Sequence, residues 1–303
     1  MQKEAMYDII SVGSATWDCF IHAKPEGYVK HGGHTDACYA IGQKVLIDKM
    51  ESHSGGGGTN TAVAFSRLGF KTGYIGGVGT DHNGHAVRAE LAKEKVDCIA
   101  KPIPGSTGYS VILLGLKQDR CILTHKGVNN QLPYTYKDAK AYYFTSMMHK
   151  SWGTAKRILQ QVKKKQRFYA FNPSAYQVGK GVRYLQPFIK DCGLLIMNKE
   201  EAQSLLKKKV SMEKAAQELG KQALNVVITD GPRGAVGYDG ELYTLRQKKV
   251  SVIETTGAGD AFGAGTLAGL LKRKSLPDAM KLGQKEAESV LRHVGAKQDL
   301  LRK

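Results

Sequence analysis

Apolar and polar positions along the chain follow two periods that take turns. Residues 7–13 (YDIISVG) are a short apolar run closed by glycine, the pattern of a buried opening strand. Residues 15–54 are polar, dotted with glycine and without a clear period. Past the glycine run 55–58, the residues Ala62, Val63, Ala64, Phe65 and Leu68 fit a helix with Gly69 as its stop. A short strand over 74–78 and a helix over 83–94 follow. Residues 109–114 and 121–124 are apolar and flank the polar stretch Lys117-Gln118-Asp119-Arg120, which predicts a hairpin and a candidate flap.

From residue 140 the alternation becomes regular. Strands at 141–144, 168–172, 194–197 and 226–229 are expected. Helices are expected at 151–165, around 180–190 and at 199–207. A hairpin near 235–245 comes next, and helices at roughly 258–272 and 276–293 close the chain. Repeated βα units of this kind predict a mostly parallel sheet covered by helices on both faces.

Composition changes this picture only in part. The chain has 303 residues, 42% hydrophobic and 24% charged, which is enough for a sizeable core and argues against wholesale disorder. The 35 glycines against 8 prolines imply many tight turns. The net charge of +18 raises nucleic acid as a partner. However, the basic clusters Lys163-Lys164-Lys165, Lys207-Lys208-Lys209 and Lys272-Arg273-Lys274 each follow an expected helix, where cations complement the helix dipole. Nucleic acid is therefore not the expected partner.

Cys19, Cys38, Cys98, Cys121 and Cys192 are odd in number and widely spaced, with no C-x-x-C pair. That favours reduced thiols in a cytoplasmic protein over a disulfide framework or a zinc site. The opening Met1-Gln2-Lys3-Glu4 lacks the apolar core of a signal peptide, and no apolar run approaches the ~20 residues of a membrane helix.

The sharpest chemical motif is residues 254–265, ETTGAGDAFGAG, placed between an expected β-like stretch at 249–253 and an apolar helical run. Glycines let main-chain N–H groups converge on one point, and the helix start adds its positive end, which makes an anion site. Asp260 stands in the first helical turn. A carboxylate beside an anion hole makes sense as the acceptor of a proton from a hydroxyl attacking a phosphate. An aspartate near a helix N-cap, with glycines for packing, is the plainer alternative. The glycine run 55–58 with Asn60 can likewise bring backbone close to a ligand, or be a linker.

Other phosphate signatures are missing. There is no G-x-x-x-x-G-K-[ST] and no dinucleotide-binding G-x-G-x-x-G after the first strand. His31 and His34 lie in a glycine-rich stretch without partner ligands and are expected in a loop, not a metal site.

Taken together, the two glycine motifs resemble the two signatures of the ribokinase-like (PfkB) carbohydrate kinase family. The resemblance extends over nearly the whole chain. It includes Gly13 and Asp18, the stretch 76–84 (GGVGTDHNG), Asn172-Pro173, Asn198-Lys199-Glu200-Glu201, residues 229–234 (TDGPRG) and Val294-Gly295-Ala296. It implies a single three-layer α/β/α ribokinase-like domain over 1–303. The central sheet would be mostly parallel, and a small β lid would come from parts of 15–50 and 108–126.

The implied activity is ATP-dependent phosphorylation of an alcohol on a sugar or similar molecule. By resemblance Asp260 is the catalytic base, and Gly257, Ala258 and Gly259 form its anion hole. Asp18, Gly56, Gly57 and Asn60 would hold substrate hydroxyls. Asn198, Thr229, Gly231 and Gly234 would bind nucleotide, and Glu201 would organise Mg²⁺ largely through water. Such a division suits a loose phosphoryl-transfer transition state, where positioning and electrostatics dominate.

Two departures stand out. Glu254 replaces an aspartate common before T-T-G-A-G-D, in a neighbourhood that binds a monovalent cation in several members, and its longer side chain counts against such a cation here. Gln284-Lys285-Glu286 occupies a region where members often carry asparagine near the adenine. A nucleoside kinase on the same scaffold is the nearest alternative, with Tyr39 or Tyr109 able to stack on a base. A basic nucleic-acid-binding protein in a kinase-like shell is the alternative from another class. The edge of the lid also offers a surface on which a second copy could pair.

Overall fold

A computed structural model describes residues 6–22, 25–32, 34–114, 120–247 and 250–303. The opening tetrapeptide and the tip of the hairpin at 117–119 lie outside them. Along the chain, β1 (Tyr7–Val12) is followed by β2 (Thr16–His22), β3 (Gly27–His31), β4 (His34–Cys38) and β5 (Lys49–Gly55). Then come α1 (Gly57–Arg67), β6 (Thr72–Ile75), α2 (His82–Lys93), β7 (Val96–Cys98), β8 (Gly108–Leu114) and β9 (Arg120–His125).

The second half starts with β10 (Ala139–Phe144), α3 (His149–Lys164), β11 (Phe168–Phe171), α4 (Ala175–Gly179) and α5 (Val182–Ile189). It continues through β12 (Leu194–Asn198), α6 (Lys199–Leu206), α7 (Met212–Gly220), β13 (Val226–Thr229), β14 (Ala235–Tyr238) and β15 (Leu242–Leu245). Helices α8 (Ala258–Leu271) and α9 (Leu276–Val290) end the succession.

Among the described residues the central sheet has nine strands in the order β15-β14-β13-β12-β11-β10-β1-β6-β7. All neighbours are parallel except the terminal β13–β14–β15 meander. Strand pleating sends successive side chains to opposite faces. Ile10 and Val12 of β1 and Tyr142 and Phe144 of β10 therefore join one core, together with apolar residues of α3, α5, α6 and α7. Ile9, Ala141 and Tyr143 join the other, with residues of α1, α2, α8 and α9. The result is the expected three-layer α/β/α fold.

The strand order reverses between β1, which leads on to β6 and β7, and β10, which leads the other way. Ligands of open α/β sheets bind beyond the carboxyl ends of strands at such a switch point. A second sheet of four strands, β5-β2-β8-β9, and the separate β3–β4 hairpin account for the polar stretch that showed no period. Asn129 ties the start of β2 to the chain after β9. Its side chain accepts from the Ala15 N–H at 3.0 Å and donates to the Ala15 carbonyl at 2.6 Å.

Several elements depart from expectation. The helix expected around 180–190 is α5, and the short α4, not expected from the sequence, precedes it, with Gly181 at φ 85° between the two. Helix α7 was not apparent in the sequence, since its buried face is mainly Ala215, Ala216 and Leu219 and alanine contributes little apolar contrast. Residues 250–253 form no strand before the glycine motif, and Lys249 lies outside the described residues. His31 and His34 face each other in register at the end of the β3–β4 ladder, not in a loop.

Candidate active site

The carboxyl ends of β10, β12 and β13, the start of α1 and the start of α8 enclose a cavity of about 330 Å³. Gly257, Gly259, Asp260, Gly57, Asn198, Glu201 and Thr229 all line it. Residues up to 203 positions apart in the chain are thus gathered at one opening. Gly257 is the N-cap of α8 and adopts φ 81° and ψ −8°, a left-handed conformation that glycine reaches without strain. A side chain there would also strike Ala296, whose Cα would lie 2.7 Å from an added Cβ. The turn hands the chain directly into α8, whose first N–H groups have no helical carbonyl to bond. One of them is diverted: the Ala258 N–H donates to the Thr255 carbonyl at 3.3 Å. The remaining donors and the helix dipole make the opening favourable for an anion.

Asp260 sits in the first turn of α8. Its Oδ2 accepts a hydrogen bond from Asn60 Nδ2 at 2.8 Å. Burial, the largest influence, pushes the Asp260 carboxyl above the ordinary aspartate range, and the nearby Asp18 charge adds to the effect. The Asn60 hydrogen bond and the Lys297 ammonium oppose that rise without cancelling it. Asn60 lies on α1, and the helix starts two residues after Gly55 because glycine permits the packing. An added Cβ on Gly58 would lie 2.6 Å from the Gly13 carbonyl carbon at the end of β1.

Asp18, on β2, is 7% exposed, and desolvation raises its carboxyl although the Thr16 and Ser110 hydroxyls donate to it. Asp18 Oδ1 and Asn60 Oδ1 are buried without a hydrogen-bond partner among the described residues. Buried acceptors without donors are costly. Neither residue is among those lining the cavity, but each oxygen could accept a hydrogen bond from a hydroxyl of a bound molecule. Gly56 keeps α1 close to the β1–β2 connection, with φ 94° and Ala15 Cα 2.9 Å from where a Cβ would be.

At the other end of the cavity, Asn198 caps α6. Its Oδ1 accepts from the Glu201 N–H at 2.8 Å, and Glu201 Oε2 accepts from the Asn198 N–H at 3.0 Å. This reciprocal box explains the N-x-x-E spacing locally. Both residues nevertheless line the cavity, and burial raises the Glu201 carboxyl above its usual range. A carboxylate short of positive charge at a phosphate-sized opening suits a hard cation with oxygen ligands. Gly231 and Gly234 shape the turn after Thr229 and are not among the cavity-lining residues.

Sequence reasoning missed Arg120, Thr145 and Lys297. Arg120 lines the cavity from β9, and Thr145 stands beside Gly57 with its hydroxyl buried and unpartnered among the described residues. Lys297 is 5% exposed, bonds to Ser54 and approaches Glu90 at 3.4 Å. Burial depresses its ammonium. No local pattern marks an isolated lysine or arginine that the fold carries to a distant site. Gln284 donates to the Arg246 carbonyl at 3.0 Å, and the Glu286 carboxyl is fully buried under the tail.

A profile of the pfkB family of carbohydrate kinases matches residues 32–302. The chain belongs to that family. Its activity class is therefore that of an ATP-dependent carbohydrate kinase. This pfkB kinase is 28% identical over 250 residues to an uncharacterized sugar kinase of Archaeoglobus fulgidus, covering 79% of the chain and 99% of the relative. Among solved structures it resembles the ribokinase of Arabidopsis thaliana complexed with ribose and ATP, with a TM-score of 0.80 at 18% identity over 98% of this chain and 97% of that one. It also resembles the adenosine kinase of Sinorhizobium meliloti, with a TM-score of 0.79 at 19% identity over 98% of each chain. At such identities the structural likeness speaks to the fold, which in this pfkB kinase is ribokinase-like. No helix among the described residues is long and apolar enough to cross a membrane. No group of three or more His, Cys, Asp or Glu residues among the described residues is arranged to hold a metal ion.

Proposed function

We propose that this kinase transfers the γ-phosphoryl group of ATP to a hydroxyl of a small sugar, with Asp260 as general base. One observation carries the reading. Asp260 stands at the start of α8, held by Asn60, and lines the same cavity as Asn198 and Glu201. In that role Asp260 takes the hydroxyl proton as the oxygen turns toward phosphorus. The N–H groups of Gly257 and Gly259 and the helix end meet the phosphoryl oxygens, and Ala258 contributes through the turn. Asp18 and Asn60 orient the acceptor through their free buried oxygens. Gly56 and Gly57 leave room for it beside α1.

Asn198, Thr229, Gly231 and Gly234 shape the nucleotide end. Glu201 with coordinated water would hold Mg²⁺, which supplies charge neutralisation between the phosphates. Glu254 is engaged by Arg120 at 3.2 Å, so the reading includes no monovalent cation.

A nucleoside is the second candidate acceptor, because Tyr109 lies in register with Trp17 beside Asp18 and offers an aromatic wall. The nucleic-acid alternative finds no support in the cavity, and the basic clusters sit at the ends of α3, α6 and α8. The free cysteines agree with a cytoplasmic setting. The lid sheet also exposes Met50 (62%) and Leu123 (57%), and the loop before β5 exposes Leu46 (86%), an apolar surface that a second copy would cover.

A coupled ADP-release screen with Mg²⁺ tests the reading over ribose, fructose, phosphorylated sugars, adenosine and inosine. Turnover with at least one free or phosphorylated sugar above every nucleoside is expected. Preference for nucleosides would reverse the substrate assignment, and specific RNA or DNA binding at moderate salt with no turnover would overturn the kinase reading itself.

A further inference from the structure

Arg120 is the first residue of β9 and pairs with Leu114 at the outer end of the β8–β9 ladder. Its side chain nevertheless leaves the lid sheet. Nη1 donates to Glu254 Oε1 at 3.2 Å and also contacts the Thr255 hydroxyl. Those partners sit in the loop that leads into α8, so the contact bridges the cavity from lid to core.

Glu254 is 4% exposed, and the oxygen that receives Arg120 also accepts from the Thr256 N–H at 2.7 Å and the Thr256 hydroxyl at 2.6 Å. One carboxylate oxygen thus holds the turn before Gly257 and grips the lid. An exposed ion pair would carry little. This pair is not exposed: the side chains of Arg120 and Glu254 are 27% and 3% accessible.

Charge shows what the arrangement can do. The cavity lining includes Glu201 and Asp260, and Arg120 is the cation among its lining residues. A nucleotide triphosphate entering it meets two carboxylates, so positive charge is needed beyond a helix end. A guanidinium has five donors in a fixed fork that suits phosphate oxygens. Nη1 is spent on Glu254 and Thr255. Among the described residues Nη2 and Nε have no partner, so these donors can turn to a ligand.

We propose that Arg120 is a lid-borne phosphate clamp, aimed at the nucleotide's phosphates by Glu254. Glu254 is its positioning residue and couples lid closure to the shape of the α8 anion turn. The inference rests on the assignment of this cavity to the nucleotide phosphates.

The test measures binding by calorimetry, without turnover, for a non-hydrolysable ATP analogue with Mg²⁺ and for adenosine. Arg120→Met should weaken the analogue about 10- to 100-fold, the range for losing a charge-assisted hydrogen bond, and leave adenosine unchanged. Arg120→Lys should recover part of the loss. Glu254→Gln should weaken the analogue in the wild-type background and add little in the Arg120→Met background, the non-additivity expected of a coupled pair. Hydrogen exchange at 254–259 should rise in both single variants.

Analogue binding by Arg120→Met as tight as wild type overturns the clamp. An equal loss for adenosine does so too, because it would mean a collapsed lid. Additive losses in the double variant overturn the coupling. A wild-type protein that fails to bind the analogue overturns the cavity assignment instead, which separates the two failures.

Discussion

Asp260 illustrates how one residue's setting decides its chemistry. Its carboxyl is raised by burial and by Asp18, and only the ionised form accepts a proton. As pH falls through that raised value, kcat/KM should fall, with the inflection above the ~3.9 of an ordinary aspartate. Asp260→Asn should lower kcat by roughly 10²–10⁴ and abolish that acid limb. Steady-state rates from pH 4 to 9 check both, and unchanged turnover would remove Asp260 from the role.

Glu286 is a second buried carboxyl, pushed up to about 7 by burial, which outweighs the Leu301 N–H bond at 3.1 Å and the charges of Arg67 and Lys272. The unfolded chain ionises this group near 4.3, so the folded protein holds the extra proton between the two values. Its folded-state preference for the proton means that stability is lost as pH rises through about 7. Glu286→Gln should therefore stabilise the protein at pH 8 relative to wild type, by on the order of 2–3 kcal/mol, and have little effect at pH 4. Thermal melts of both proteins at the two pH values decide it.

At the scale of elements, the site depends on how closely α1 and α8 approach the ends of the strands. Gly58 makes this concrete, because its Cα side faces the Gly13 backbone at 2.6–2.8 Å from an added Cβ. Gly58→Ala should push α1 off β1 and cost roughly 1–3 kcal/mol of stability, the usual penalty of overpacking. Because Asn60 rides on the same helix, KM for the acceptor should rise as well. Urea titration and acceptor kinetics together test this. A stability loss with no change in KM would show that α1 does not transmit the shift to the site.

For the whole molecule, the four-stranded sheet β5-β2-β8-β9 is the least self-sufficient part. Met50 and Leu123 on its strands, and Ile41 and Leu46 in the loop before β5, stand in solvent. Pairing with a second copy of the chain would cover them. Leu46→Glu with Leu123→Glu should convert a dimer to a monomer in sedimentation velocity while ATP-analogue affinity is retained. A wild-type protein that sediments as a monomer at high concentration would sink the dimer.

What could be read from the residues alone was whatever depends on local pattern. The βα alternation after residue 140, the helix begun by the 55–58 glycines and the 254–265 motif all carry short-range signals, since pleat, helical period and left-handed glycines act within a few residues. The four-stranded sheet was harder, because β2 pairs parallel with β8 some 92 positions away and antiparallel with β5, and polar strands without alternation acquire their identity only from partners. The short α4 before Gly181 and the alanine-faced α7 also needed their neighbours. Asp260 and Asn198 were legible as motifs. That Asn60 holds Asp260, that Arg120 reaches from β9 to Glu254, and that Lys297 and Glu286 are buried could be decided only by tertiary packing, because desolvation and contact between distant residues have no signature along the chain.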